Sequence, residues 1–580
     1  MRTIDSTATC LFASCIVGIL IGLLFLTEPK AIDGALVVAG VVNYPPSSAQ
    51  GIYFYNMWTA IHQVLGLLLW AGIPQTLVAA GFCAALGASY VAGAMLVTLA
   101  LTGRAFFSLL IALAIVLCGF LVQGPDYPIN FFFMHSFGQT ALSLSVLAIG
   151  LFGNRWYISA GFFAAILPAF HPVSGCWTAF LILLGGVFLL RNNRNAFSRL
   201  LRGFTLGFIA TLVSFGYFWL HRVSMSPVVD PTILKDFLEY WDYHRHVPYT
   251  YYTAFITSVC LILLWVILDH AKRTGNAKLL GISFLLLVSA AGSWLLYEVV
   301  HRLHDQLPAA ISGAMLGRLV NIHYELVLPI CLGAILTRRH PVLPILGLPF
   351  IFEFYVPRSD RNWLLVCAVL ATAFFFWKAR RVTADDAGKR EFIEHAESKA
   401  HILALIVVTA FIVHSLRHLD AGTPWECSID IIDDCRPPAI FREISGMHWD
   451  GLTAAPAGLA MLTHRHGHKP VLLGASGFDF VPYLPSTGSQ VKEILEQVYG
   501  QDFRAPLPEY RNQGNLMQGM GQEYWSSLSR EQWRTVSEKF CIGAVVAPAE
   551  WLLSLEPARY ANGVKLYLLQ RPGLEKCQLT

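Results

Sequence analysis

The feature that most constrains this chain is a succession of long apolar runs separated by short polar stretches, filling residues 1–419. A helix that crosses a bilayer needs about 20 mostly apolar residues. Thirteen segments approach that requirement: 10–26, 76–101, 105–122, 137–153, 156–170, 176–190, 203–220, 250–269, 279–298, 316–336, 341–355, 363–378 and 402–416. The less apolar stretch 56–72, with Trp58, His62 and Gln63, reads as a helix lying at the membrane interface. Composition agrees, because 55% of the 580 residues are hydrophobic and 13% charged, against about 45–50% and about 25% in soluble proteins. A soluble enzyme, a disordered chain and a small disulfide scaffold are all excluded.

Charge placement gives the orientation. The 41 basic and 37 acidic residues leave a net +4, too even for a nucleic-acid partner. Alternating the thirteen segments puts 18 Lys and Arg on the side of Arg2, including Arg104, Arg155 and Arg199, and 8 on the other. Short cytoplasmic loops carry that excess, so the N-terminus is expected inside a bacterial plasma membrane, and the C-terminus outside it. Residues 10–26 are read as a retained span, since no small-residue cleavage site follows Leu26.

From about Asp420 the long apolar runs stop. Residues 420–580 are expected to form a soluble α/β or α+β domain on the outer face, about 160 residues being an ordinary domain size. Short apolar runs at 470–475, 542–547 and 565–570 suggest strands, and 489–499 and 529–540 suggest helices. Cys427, Cys435, Cys541 and Cys577 fall in or beside this domain. An exported compartment permits disulfides among them, with three connectivities open. Walker loops, a GxGxxG turn, HExxH and CxxC pairs are missing from the sequence, which removes the usual signatures of nucleotide hydrolysis, hydride transfer and zinc proteolysis.

Candidate site residues are the scarce polar groups of the outer loops, 27–55, 123–136 and 221–249. The first loop carries Glu28 and Asp33, and the second holds Asp126 between two prolines, where a rigid turn positions a carboxylate. Read alone, Asp126 is a turn residue. The third ends in Glu239-Tyr-Trp-Asp-Tyr-His-Arg-His, grouping Asp242, His244, Arg245 and His246 with aromatics; Arg and His are suited to an anionic headgroup, while Trp and Tyr there serve as interface anchors. Arg318 opens the tenth segment, seven residues before Glu325, so that an internal ion pair, snorkelling and phosphate binding are all open to it. His171 precedes a Pro172 to Gly175 break. The His464, His466, His468 alternation ends in a Gly-His-Lys-Pro stretch and is read as a solvated turn in preference to a metal site.

This layout resembles the GT-C superfamily of membrane glycosyltransferases, which use polyprenyl-phosphate-linked sugars. The shared pieces are an inside N-terminus, an acid in the first outer loop (Asp33), interfacial helices (56–72), many spans, and an outer C-terminal domain (420–580). The resemblance implies that Asp33, or Glu28 in its place, is the general base, that Asp126 is the second-loop acid, and that Arg318 or Arg245, with His244, His171 and Asp242, binds the donor phosphate. It implies a polyprenyl-phosphate sugar as donor, with a glycan, lipid or protein as acceptor. The first loop lacks the doubled acid of several members, so no metal ligand is assigned and a divalent cation stays an open possibility. Tyr240-Trp-Asp-Tyr-His looks like the Trp-Trp-Asp-Tyr-Gly signature of oligosaccharyltransferases but lies mid-chain before a span, and the match is treated as coincidence. The alternatives are a transporter or flippase of a lipid-linked saccharide and a glycan polymerase or ligase.

Overall fold

In the computed structural model the described residues are 7–24, 30–57, 59–119, 137–223, 230–242, 251–303, 316–336, 438–474, 480–511 and 519–569, with a few isolated positions between them. Helices dominate. Thirteen come first: α1 Thr7–Leu24, α2 Ala31–Val38, α3 Ala49–Tyr55, α4 Ala60–Trp70, α5 Gln75–Thr102, α6 Ala105–Gly119, α7 Phe137–Gly153, α8 Tyr157–Ile166, α9 Pro172–Leu190, α10 Arg194–His221, α11 Pro231–Tyr240, α12 Tyr251–Thr274 and α13 Ala277–Leu303. Among the described residues, α5, α9, α10 and α13 are long and apolar enough to cross a membrane; α1, α4, α6, α7 and α8 are shorter apolar helices. The expected segments 341–355, 363–378 and 402–416 lie outside the described residues.

Glycine sets how closely the helices meet. A Cβ on Gly18 of α1 would stand 2.4 Å from the Gly87 carbonyl oxygen of α5, and one on Gly22 would stand 2.2 Å from that of Cys83. Since residue numbers rise on one helix as they fall on the other, the pair is antiparallel. The same device joins α8 to α10, where a Cβ on Gly203 would lie 2.0 Å from the Ile158 carbonyl oxygen and one on Gly207 2.3 Å from that of Phe162. Between apolar helices in lipid, such close backbone approach supplies the van der Waals contact that holds the pair. The opposite face of α10 exposes Phe208, Leu212, Val213 and Trp219, as a lipid-facing surface does.

The tenth expected segment departs from a continuous helix. A 3-10 turn at Leu316–Val320 runs into a five-residue helix, α14 Asn321–Glu325, and then, past Leu326, into α15 Val327–Leu336. At the break the Leu326 N–H bonds back to His323 O, three residues away, at 3.2 Å.

The C-terminal part holds a four-stranded sheet in the order β1-β2-β4-β3, with β1 Leu452–Ala454, β2 Ile542–Pro548, β3 Arg559–Ala561 and β4 Val564–Leu568. The β1–β2 pair is parallel and the other pairs are antiparallel, so the sheet is mixed. Asn562 and Gly563, both at positive φ, close the β3–β4 hairpin, the backbone that such two-residue turns demand. The expected strands at 542–547 and 565–570 are present; the run at 470–475 contributes one bridge, Thr453 to Val471. The helices expected at 489–499 and 529–540 are found at Gly488–Gln497 and Arg530–Phe540, the latter opened by a Ser529/Gln532 capping box.

The first loop, expected as the outer loop 27–55, carries α2 and α3, and it belongs to the same hydrophobic core as the sheet. Ile32, Ala35 and Leu36 of α2, Phe54 of α3, Ile61 and Leu65 of α4, Phe237 of α11 and Trp241 just beyond it are continuous with Leu459, Val491, Trp525 and Val545. A boundary near residue 420 therefore describes composition, whereas packing joins the C-terminal part to residues 31–79 and 233–241.

Candidate functional site

Asp33 sits in the first turn of α2, where a carboxylate is favoured by the helix dipole. Burial of Ala31, Ile32, Ala35 and Leu36 fixes the helix face and turns Asp33 toward the helix α16, Ala457–Arg465, of the C-terminal part. There Arg465 Nε donates to Asp33 Oδ1 at 2.5 Å and Nη2 donates to Oδ2 at 3.1 Å. The side chains are 5% and 15% exposed, so this is a bidentate ion pair largely removed from water.

His464 fills the space beside it. Its Nε2 lies 3.0 Å from the Asp33 carbonyl oxygen and its Nδ1 2.9 Å from Tyr44 Oη. A carbonyl can only accept, so Nε2 carries the proton and Nδ1 accepts from the tyrosine. Tyr44 Oη in turn accepts from Val471 N–H at 3.3 Å, and the Phe54 ring stacks on the imidazole. Burial pushes His464 below its usual range, outweighing the opposing pull of Asp33. The reading of His464 to His468 as a solvated turn is corrected for His464 and Arg465: both are buried in the last turn of α16, because the apolar run Leu459 to Leu462 continues as helix and carries them inward. Among the described residues no group of three or more His, Cys, Asp or Glu could hold a metal ion.

On the other side of Asp33 is His62 of α4. Thr59 caps α4, accepting from His62 N–H, and its hydroxyl contacts His62 Nδ1. The His62 Nε2 is buried, with no hydrogen-bond partner among the described residues. A Cβ on Gly34 would lie 2.7 Å from it, which places this nitrogen against the backbone that carries Asp33. The Phe137 ring packs at 4.5 Å. Gln63 ties α4 to α10 through Ser214, whose Oγ donates to Gln63 Oε1 at 2.7 Å, and Val64, Leu67 and Trp70 project from the exposed face of α4. The carboxylate thus stands where an apolar, interface-type helix meets the C-terminal part.

The remaining candidates are less gathered. Asp242 is buried just beyond α11, next to Trp241, whose Nε1 donates to Phe503 O at 2.8 Å. His171 is the N-cap of α9, its Nδ1 accepting from Ser174 N–H at 3.4 Å, so a capping role accounts for it. Glu28, Asp126, His244 and Arg245 lie outside the described residues, as does the side chain of Arg318. Glu325 takes Tyr90 Oη as donor at 2.7 Å. Residue-by-residue reading missed His62, Tyr44, His464 and Arg465; the available signals were the Thr59-Ala-Ile-His cap and the helical run before His464. Comparison of the chain with family models, curated proteins and solved structures returns no match.

Proposed function

We propose that this chain is a membrane glycosyltransferase that moves a sugar from a polyprenyl-phosphate donor to a glycan, lipid or protein acceptor at the outer face of a bacterial plasma membrane, with thirteen crossings and the N-terminus inside. The observation that carries the reading is the first-loop carboxylate. Asp33 is oriented by Arg465, partly exposed, and flanked by the buried His62 ring at the junction of α4 with the C-terminal part. An outer location of that part fits Cys541 being disulfide-bonded.

In this mechanism the acceptor hydroxyl lies about 3 Å from a free lone pair of Asp33. Its oxygen attacks the anomeric carbon while its proton passes to Asp33. The bond from the anomeric carbon to the phosphate oxygen breaks, and that electron pair leaves with the polyprenyl phosphate, whose growing charge Arg318 or Arg245 stabilises.

Asp33→Asn alone would strand Arg465, so the test pairs it with Arg465→Gln, which removes both charges. The double variant should stay monodisperse and lose release of polyprenyl phosphate, whereas Arg465→Gln alone should keep part of it. Full turnover in the double variant would remove Asp33 from the base role. The broken segment at 316–336 favours one second reading, transport of a lipid-linked saccharide, because transporters bind substrates at interrupted helices; saccharide movement across vesicles without sugar transfer would select it.

A further inference from the structure

The break at the tenth segment buries ionisable groups that the transferase reading does not use. Tyr90 is the sixteenth residue of the 28 in α5, about 22 Å along it at 1.5 Å per residue, deep in the helical bundle. Its hydroxyl donates to Glu325 Oε2 at 2.7 Å. Glu325 is 5% exposed, and its Oε1 is buried with no hydrogen-bond partner among the described residues. His323 stands two positions earlier, about 200° round the helix, and faces α12 instead, its Nε2 3.3 Å from Thr257 Oγ1. The Glu325 carboxylate therefore stands apart from the imidazole, with one oxygen satisfied and one not.

An unpaired carboxylate oxygen in apolar surroundings is costly, and buried charges persist where something of opposite sign meets them. We propose that Glu325, with Tyr90, forms a site for a small monovalent cation, H⁺ or Na⁺, at the interruption between α14 and α15. The choice of a single positive charge follows from the site, since one carboxylate supplies one negative charge and no cluster of three or more metal-ligating side chains exists among the described residues. The one-residue turn at Leu326, between two short helices, places the carboxylate at a helix interruption, and membrane proteins hold coupling ions at interrupted helices. This site is independent of Asp33 and of sugar transfer.

Dicyclohexylcarbodiimide, which adds to carboxyl groups in apolar surroundings, tests it on the purified full chain, with the labelled peptide identified by mass spectrometry. The expected result is labelling of Glu325 that vanishes in Glu325→Gln. Suppression by NaCl but not by choline chloride identifies Na⁺; suppression by raising pH alone identifies H⁺. A thermal scan gives a second readout: a Na⁺ site predicts that NaCl raises the melting temperature of the native chain and not of Glu325→Gln or Tyr90→Phe. Absence of label on Glu325 at every pH, together with a melting temperature indifferent to NaCl, overturns the proposal. Should Glu325→Gln fail to fold, the labelling of Glu325 in the native chain and the dependence of that labelling on NaCl and pH decide the matter alone.

Discussion

Asp33 and Arg465 are mutually dependent at the scale of single residues. Each oxygen of the carboxylate meets a guanidinium nitrogen, and breaking a buried pair on one side typically costs about 3–5 kcal/mol because the other charge is left uncompensated. Asp33→Asn is expected to lose stability in that range, measured by thermal or denaturant unfolding in detergent, and Arg465→Gln in the Asp33→Asn background should recover much of it. Equal stability of Asp33→Asn and the native chain would mean that the pair does not hold the two regions together. His464 adds a pH dependence. Its folded value lies below its ordinary one, so between the two the unfolded chain binds more protons, and stability rises with pH there. The contribution is complete above about pH 6.5 and is lost as pH falls below it. Acidification should lower the melting temperature of the native chain more than that of His464→Gln.

Packing of whole elements rests on glycine contacts with backbone, which has no flexible end to move aside. Gly18→Ala or Gly203→Ala would drive a Cβ into a carbonyl oxygen at 2.4 or 2.0 Å, and overpacking of this kind costs about 1–3 kcal/mol. Each should lower the melting temperature, while Gly216→Ala, where a Cβ meets nothing within 4 Å, should not. Elements were the most legible part of the sequence. Runs such as 76–101 and 137–153 match α5 and α7 closely, because unbroken apolar length specifies a helix in lipid without reference to partners. The capping pair Ser529 and Gln532 marks a helix start from local chemistry alone. Legibility failed where tertiary contact decides. Residues 316–336 carry Arg318, Asn321, His323 and Glu325 among their apolar residues, and the one local mark of the break at Leu326 is Pro329, which has no N–H to offer the Glu325 carbonyl and stands in the first turn of α15. Arg465 looks like a solvated turn residue until α2, more than 400 positions away, supplies its carboxylate.

Across the whole molecule, the first loop and the C-terminal part share one core and one site, so they must lie on the same side of the membrane. Ser526→Cys, on an exposed position of the C-terminal part, and Asn192→Cys, exposed between α9 and α10, should therefore differ. An impermeant maleimide added to intact cells is expected to label Ser526→Cys and spare Asn192→Cys. The reverse pattern would invert the topology and move Asp33 to the cytoplasmic face. The central claim concerns chemistry at that face, and the most direct measurement is incubation of the purified chain with a panel of polyprenyl-phosphate sugars and candidate acceptors, followed by mass spectrometry of released polyprenyl phosphate. The account predicts acceptor-dependent release with at least one donor, abolished in the Asp33→Asn, Arg465→Gln double variant; no release with any donor, or release unchanged in that variant, would contradict it.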